Sequence, residues 1–125
     1  MAGQGIGRGQ RVRRRSEFQA IRQHGLSRSS ATVVMLARPN DLPYVRFGFV
    51  VGKRVARLAV TRNRTRRRLR EVASRLSLRA GWDVLLIARR DAVGVPFAEL
   101  QTAVGGLAAK LGLLKQNTHM EFAAV

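Results

Sequence analysis

The sequence predicts a small α+β domain in which helices pack against one sheet. Three observations support this fold class. The 125 residues leave room for a single domain with one modest core. Hydrophobic residues make up 46% of the chain and aromatic residues only 6%, so aliphatic side chains must fill that core. Apolar patterns along the chain predict, in order, a helix, two strands, a long basic helix, a strand and a last helix.

The ends of the chain differ in composition from its middle. Residues 1–10 are rich in glycine and hold little that could be buried, so we expect a flexible tail there. Residues 115–125 have no clear apolar period, and we expect a second flexible tail. The range 11–114 is therefore predicted to form a single domain.

A short first helix is predicted from Ser16 to Gly25. Ser16 is a good N-cap residue, Phe18 and Ile21 share one face, and Gly25 can end the helix. Apolar and β-branched runs predict strands over 31–37, 45–51 and 82–88. The connection between the first two is short, which favours an antiparallel pair.

The longest helix is predicted over residues 61–78. At about 100° per residue, its apolar positions fall on one side. These positions are Thr65, Leu69, Val72, Ala73 and Leu76. Arginines occupy both flanks, so the helix can bury a stripe and leave a basic face free. If the two strands that it joins are parallel neighbours, it is a crossover. A final helix is predicted from Pro96 to about Leu114, although Gly105 and Gly106 weaken its middle.

The charge of the chain predicts a polyanionic partner. Lys and Arg number 24 against 7 Asp and Glu, giving a formal net charge of +17. Solubility alone needs a net charge of only about 2–8. Arginines three and four apart in the long helix repel one another, and only Glu71 lies among them. A solvated helix face is the alternative interpretation, but phosphate explains the arrangement better.

Several chemistries are disfavoured by composition. The chain has no cysteine, which excludes disulfides and thiolate sites, and His24 and His119 lack the spacing of a metal pair. The acids are scattered singly, so we expect neither a protein-held metal site nor a catalytic residue of a self-sufficient nuclease. The sequence has no signal-peptide-like or membrane-spanning apolar run, and we expect a soluble, cytoplasmic protein.

Four blocks of the chain together resemble the bacterial ribonuclease P protein subunit. The run from Phe49 to Lys53, followed by Arg62-Asn63-Arg64, is similar to the family's strand end and RNR helix. Residues 11–25, 82–89 and 97–100 resemble its basic N-terminus and first helix, its later strand and the start of its last helix. The resemblance implies an α/β sandwich of order α-β-β-β-α-β-α with a left-handed crossover. Residues 28–38 and 44–52 would share the additional strand.

The resemblance also implies a function. The protein would assist a catalytic RNA in removing the 5′ leader from precursor tRNA, and would be inactive alone. Magnesium would be held by that RNA, and the partners would be the catalytic RNA and precursor tRNA, without a membrane or a small-molecule substrate. A structural nucleic-acid-binding protein, ribosomal or nucleoid-packing, is the alternative that charge and size leave open.

Two sets of site residues follow from the resemblance. The residues that match the motif contacting the catalytic RNA are Lys53, Arg62, Asn63, Arg64, Arg66, Arg67 and Arg70. The cleft that receives the single-stranded leader would be formed by Arg14, Phe18, Arg22 and Leu36.

The chain departs from the family pattern at two places. Arg22 and Leu36 stand where aromatic residues are common, so leader binding is expected to rely more on charge than on stacking. The segment between Lys53 and Arg62 is one residue longer than usual, which puts the position of Lys53 in question. Phe18 could equally be a core residue of the first helix.

Overall fold

The computed structural model describes residues 11–115, so the predicted tails lie outside the described residues except for Lys115. The elements follow the expected order α-β-β-β-α-β-α. They are α1 (Arg15–His24), β1 (Leu26–Ser29), β2 (Val33–Pro39), β3 (Arg46–Val50), α2 (Ala59–Ser74), β4 (Trp82–Ala88) and α3 (Phe97–Lys110). A 3₁₀ turn, Arg90–Ala92, precedes α3. No helix among the described residues is long and apolar enough to cross a membrane.

The four strands form one mixed sheet in the order β1-β2-β4-β3. β2 is antiparallel to both β1 and β4, and β3 runs parallel to β4. The expected antiparallel pair between residues 31–37 and 45–51 is therefore wrong, because β4 lies between β2 and β3. β4 is the most apolar strand and is buried on both faces, which suits a central position.

The additional strand is β1, at Leu26–Ser29. It overlaps the expected range 28–38 only at its end, and the range 44–52 contains β3 alone. All residues of β1 are exposed, so no apolar alternation marks it in the sequence. The parallel pairing of β3 with β4 makes α2 a crossover between neighbouring strands, as expected for strands that run side by side in the same direction.

The sheet is covered on both faces. On one face, alternate residues of β2 and β4 pack against the buried stripes of α2 and α3 to form the main core. On the other face, Leu85 of β4 packs with Val12 and Ile21, and Phe18 and Leu36 lie against this smaller cluster. α1 therefore lies on the side of the sheet opposite α2 and α3.

Ser16 is not the N-cap of the first helix, because α1 begins at Arg15 and Arg14 is the N-cap. The carboxylate of Glu17 accepts a hydrogen bond from the backbone N–H of Arg14 at 3.1 Å, so an acid inside the helix caps it. Gly25 follows the helix, as predicted. A Cβ at Gly25 would lie 2.4 Å from the carbonyl oxygen of Ile21, so the close approach requires glycine.

The two later helices are shorter than predicted at their C-terminal ends. α2 runs over Ala59–Ser74 rather than 61–78, and α3 ends at Lys110 rather than near 114. Gly112 has a φ of 71° and turns the chain, after which Leu114 pairs with Leu78. The glycines in the middle of α3 do not interrupt it.

Candidate nucleic-acid interface

α2 buries the stripe that its sequence predicts. Thr65, Leu69, Val72 and Ala73 are buried in the helix. The hydroxyl of Thr65 donates to the carbonyl oxygen of Thr61 at 2.9 Å, so this polar group is satisfied within the core. The other side of α2 is left to its charged residues.

The outward side of α2 carries exposed basic side chains. Asn63, Arg64 and Arg67 are exposed, and Arg66 donates to the amide oxygen of Asn63 at 2.7 Å. Glu17 and Asp83 pair with Arg46, and Glu71 pairs with Arg75, so these three carboxylates are engaged away from Arg64 and Arg67. The positive charge of Arg64 and Arg67 is therefore presented to solvent, where a phosphate could approach it.

Not every arginine of α2 faces solvent. Arg62 donates to the carbonyl oxygens of Ala56 and Arg57, at 3.0 and 2.8 Å, and so fixes the turn that leads into the helix. Arg75, the residue that follows the helix, pairs with Glu71, and its guanidinium lies 4.9 Å from the ring centre of Phe97. These two arginines support the fold directly.

Arg70 belongs to a cluster of cations beside an aromatic ring. Its guanidinium lies 5.8 Å from the ring centre of Phe49. Burial lowers the pKa of Arg70, and the nearby charges of Arg11 and Arg66 lower it further. The Nε atoms of Arg11 and Arg70 are buried without a hydrogen-bond partner. An anion bound here would relieve the repulsion and supply acceptors.

Lys53 lies in a separate basic cleft near the start of α2. This cleft has a volume of about 430 Å³ and is lined by Lys53, Arg54, Arg57 and Arg90, all of them exposed. β3 and β4 are parallel neighbours, so the segments that follow them meet at one edge of the sheet. Arg57, in the segment between β3 and α2, is part of the cleft.

Sequence reasoning missed Arg54, Arg57 and Arg90 as candidate site residues. A basic pair follows β3 and another follows β4 in the sequence. These pairs could have been combined only with the knowledge that the two strands lie side by side and point the same way. The sequence pattern indicated both strands but paired β3 with the wrong neighbour.

A second cleft lies against α1. It has a volume of about 420 Å³ and is lined by Arg13, Arg15, Phe18, Gln19 and Arg22. The structure thus brings together two of the four residues expected to bind the leader, Phe18 and Arg22. The other two, Arg14 and Leu36, are not among the lining residues.

The other two expected residues lie nearby. Arg14 is the exposed N-cap of α1. Leu36 packs against the cluster of Val12, Ile21 and Leu85 under the helix. Phe18 is half-buried against this cluster and also lines the cleft, so its position is compatible with both interpretations considered for it.

A network of charged groups connects α1 to the sheet. Arg46 donates to both carboxylate oxygens of Asp83, at 2.9 and 2.7 Å, and pairs with Glu17 at 2.7 Å. Asn40 donates to Asp83 at 2.7 Å. Asp83 is only 6% exposed, so these bonds compensate a buried charge.

The pKa values of the network reflect its geometry. The hydrogen bond to Asp83 raises the pKa of Arg46, and the bond to Glu17 adds to this. Burial would raise the pKa of Glu17, but hydrogen bonds from Arg14, Arg46 and Arg13 outweigh it, and the pKa is lowered. Both groups are therefore held in their charged forms.

The described residues do not fit a magnesium site. Among residues 11–115, no three or more His, Cys, Asp and Glu side chains are grouped so that they could hold a metal ion. Glu17 and Asp83 are engaged by Arg46, and Glu71 is engaged by Arg75. The chemistry available on this surface is that of guanidinium and ammonium groups, which bind phosphate.

Comparison with known proteins identifies the family. A sequence model of the family described as Ribonuclease P matches residues 6–112. The ribonuclease P protein component of Dehalococcoides mccartyi is 39% identical over 106 residues, covering 85% of this chain and 88% of the relative. The chain belongs to the ribonuclease P protein family. It is the protein component of a ribonucleoprotein endoribonuclease involved in processing the 5′ end of tRNA, which decides against a ribosomal or nucleoid-packing protein.

Solved structures of ribonuclease P proteins share the fold. The protein from Thermotoga maritima is 28% identical with a TM-score of 0.71, covering 80% of this chain and 96% of that one. The protein from Staphylococcus aureus superimposes with a TM-score of 0.75 at 24% identity, covering 85% of this chain and 98% of that one. At 24% identity, the likeness to the Staphylococcus aureus protein shows a shared fold alone.

Proposed function

We propose that the protein binds the catalytic RNA of ribonuclease P through α2 and helps it to remove the 5′ leader from precursor tRNA. The observation that carries this proposal is the division of α2 into a buried stripe and a basic outer side with exposed Arg64 and Arg67. The proposed RNA-binding residues are Lys53, Arg62, Asn63, Arg64, Arg66, Arg67 and Arg70. Arg62 contributes mainly by holding the turn before α2.

The cleft beside α1 is the proposed site for the single-stranded leader. Phe18 offers a ring on which a base can stack, since every base has a π-face. Arg13, Arg15 and Arg22 line the same cleft and can contact phosphates. Arg14 would add charge at the start of the helix, and Leu36 would support Phe18 from below. With a single aromatic residue among its lining residues, this cleft favours contacts to the backbone over contacts to bases.

The cleft of Lys53, Arg54, Arg57 and Arg90 extends the proposed RNA-binding surface. Four cations around about 430 Å³, with no acid among the lining residues, favour a phosphate group. Arg57 and Arg90 can use their planar forks to bind phosphate oxygens in pairs. We assign this cleft to the RNA partners and not to a small molecule.

Magnesium is assigned to the RNA in this proposal. The carboxylates of Glu17, Glu71 and Asp83 are held by arginines, and no three or more His, Cys, Asp and Glu side chains are grouped to hold a metal ion among the described residues. The protein would supply positive charge that lets the RNA fold and bind substrate with less magnesium. We further propose that it acts in the cytoplasm, with precursor tRNA as the substrate of the complex.

Reconstitution with the cognate ribonuclease P RNA tests the proposed function. Cleavage of a precursor tRNA is measured with protein alone, with RNA alone and with both, over a range of magnesium concentrations. We expect no cleavage by the protein alone and a lower magnesium requirement for the RNA when the protein is added. Efficient cleavage by RNA-free protein, or no effect of the protein on the RNA, would contradict the proposal.

A further inference from the structure

Strand β3 contacts two consecutive residues of α1. Arg46 pairs with the carboxylate of Glu17 at 2.7 Å. Phe18 lies over Gly48, where an added Cβ would be 2.8 Å from the Cε1 atom of the ring. Arg46 and Gly48 are two positions apart on β3 and therefore point to the same face of the sheet. One face of one strand thus holds α1 by an ion pair and by a close apolar contact.

The Arg46 side chain is itself held in place from the other end. Its Nε and Nη2 atoms donate to the two oxygens of Asp83, a buried residue of the central strand β4. Asn40 donates to the same carboxylate. A guanidinium bound by two atoms to a buried carboxylate cannot rotate without breaking both bonds. The remaining Nη1 atom is therefore held in a fixed position, where it pairs with the carboxylate of Glu17.

The position of Arg46 also separates it from the arginines of the RNA-binding surface. Two carboxylates offset its charge, and its side chain is 20% exposed. It is poorly placed to bind phosphate. Its structural effect is instead on α1. The contacts of β3 with Glu17 and Phe18 lie at neighbouring positions of that helix, and together they restrict its rotation about its own axis.

The rotation of α1 about its own axis determines which side chains line the leader cleft. Phe18, Gln19 and Arg22 all come from α1 and line the cleft. We propose that Arg46 is a positioning residue for the leader-binding cleft, and that it acts through Glu17. This inference rests on the proposed function, since it assumes that the cleft beside α1 receives the leader.

The test uses Glu17 instead of Arg46. Removing Arg46 would leave Asp83 buried without a counter-charge, and loss of folding would then hide any effect on positioning. Glu17→Gln keeps the bond between Arg46 and Asp83 and retains an oxygen that can accept from the N–H of Arg14. It removes the charge that Arg46 binds. Glu99→Gln, the same change in the first turn of α3, is the matched control.

The measurement compares two tRNAs on the reconstituted complex of full-length protein and cognate RNA. Equilibrium affinity is determined under non-cleaving conditions for a precursor tRNA with its leader and for the same tRNA without it. The affinity ratio, which is the affinity for the tRNA with its leader divided by the affinity for the tRNA without it, isolates the contribution of the leader. The cleft itself is tested independently of Glu17 with Phe18→Ala. If the cleft binds the leader, the wild-type protein favours the tRNA with its leader, and Phe18→Ala reduces that preference.

We expect Glu17→Gln to lower the ratio by about three- to tenfold, because a displaced helix misplaces its contacts. Affinity for the leaderless tRNA should stay unchanged, and Glu99→Gln should match the wild type in both. An unchanged ratio would overturn the positioning role while leaving the cleft intact. An equal loss for both tRNAs with a lower Tm would overturn it in favour of a purely structural contact. A wild-type ratio of one would overturn the leader cleft and this inference together.

Discussion

Arg68 on α2 donates a hydrogen bond to the carbonyl oxygen of Val93, 25 residues further along the chain, at 3.1 Å. The same guanidinium also donates to the carbonyl oxygens of Ala92 and Val95. This arginine of the basic helix therefore holds the segment between β4 and α3, which contains Arg90 of the Lys53 cleft. The arginines of α2 have divided roles, some holding the fold and others facing solvent.

Replacing Arg68 should destabilise the domain. Arg68→Met removes the donors to three backbone carbonyls, and we expect a loss of about 1–3 kcal/mol in the free energy of unfolding. Arg64→Met, at an exposed position of the same helix, should change it by less than about 0.5 kcal/mol. Urea unfolding of both variants measures the difference. Equal stability of the two variants would show that the carbonyl contacts of Arg68 contribute nothing.

Two glycines should respond to alanine with opposite signs. At Gly48, a Cβ would lie 2.4 Å from Leu85 and 2.8 Å from Phe18, so Gly48→Ala should destabilise by about 1–3 kcal/mol. At Gly106, inside α3, a Cβ would meet nothing within 4 Å, so Gly106→Ala should stabilise by about 0.5–1 kcal/mol. Thermal unfolding of the two variants measures the direction of each change in stability. A Gly48→Ala variant as stable as the wild type would show that Phe18 is not seated closely on β3.

Stability should depend on acid pH through Glu17. Its pKa is lowered from the ordinary value of 4.5, so the charged form is favoured in the folded state. The contribution of Glu17 is therefore complete above about pH 4.5 and is lost as the pH falls through the lower folded-state pKa. The stability difference between wild type and Glu17→Gln should shrink on acidification below pH 4.5. A difference that grew on acidification would contradict the assignment of the lowered pKa.

Much of the fold could be predicted because local pattern determines it. The strand 82–88 is apolar throughout most of its length and is observed as β4. The buried stripe of α2 follows from helical spacing alone. β1 was missed because it is short, mostly polar and exposed. The predicted partner of β3 was wrong, because strand pairing depends on contacts between distant segments, which neither propensity nor turn length specifies.

The candidate site was predicted as a set of residues but not as an arrangement. The charge pattern does not distinguish among the arginines of α2, and the expected RNA-binding set includes Arg62 but not Arg68. In the structure both of these arginines donate to backbone carbonyls. Their partners belong to segments that folding brings near, so residue type cannot reveal them. Arg90 joins Lys53 only because β3 and β4 are parallel. Phe18 and Arg22 share a cleft because both lie on α1, one turn apart.

The arginines that face solvent should carry the salt dependence of RNA binding. Arg64→Gln combined with Arg67→Gln removes two exposed charges of α2 and leaves the buried stripe of the helix unchanged. Arg28→Gln combined with Arg38→Gln removes two exposed charges on β1 and β2 and is the matched control. Both pairs should leave the Tm close to that of the wild type.

The dissociation constant for the cognate ribonuclease P RNA, measured over a series of salt concentrations, tests the account most directly. For the α2 pair we expect weaker binding and a log–log salt slope reduced by about 0.7–0.9 for each phosphate that the protein no longer neutralises. The control pair should retain the slope of the wild type. If the α2 pair bound the RNA with the affinity and slope of the wild type, the basic side of α2 would not be the RNA-binding surface.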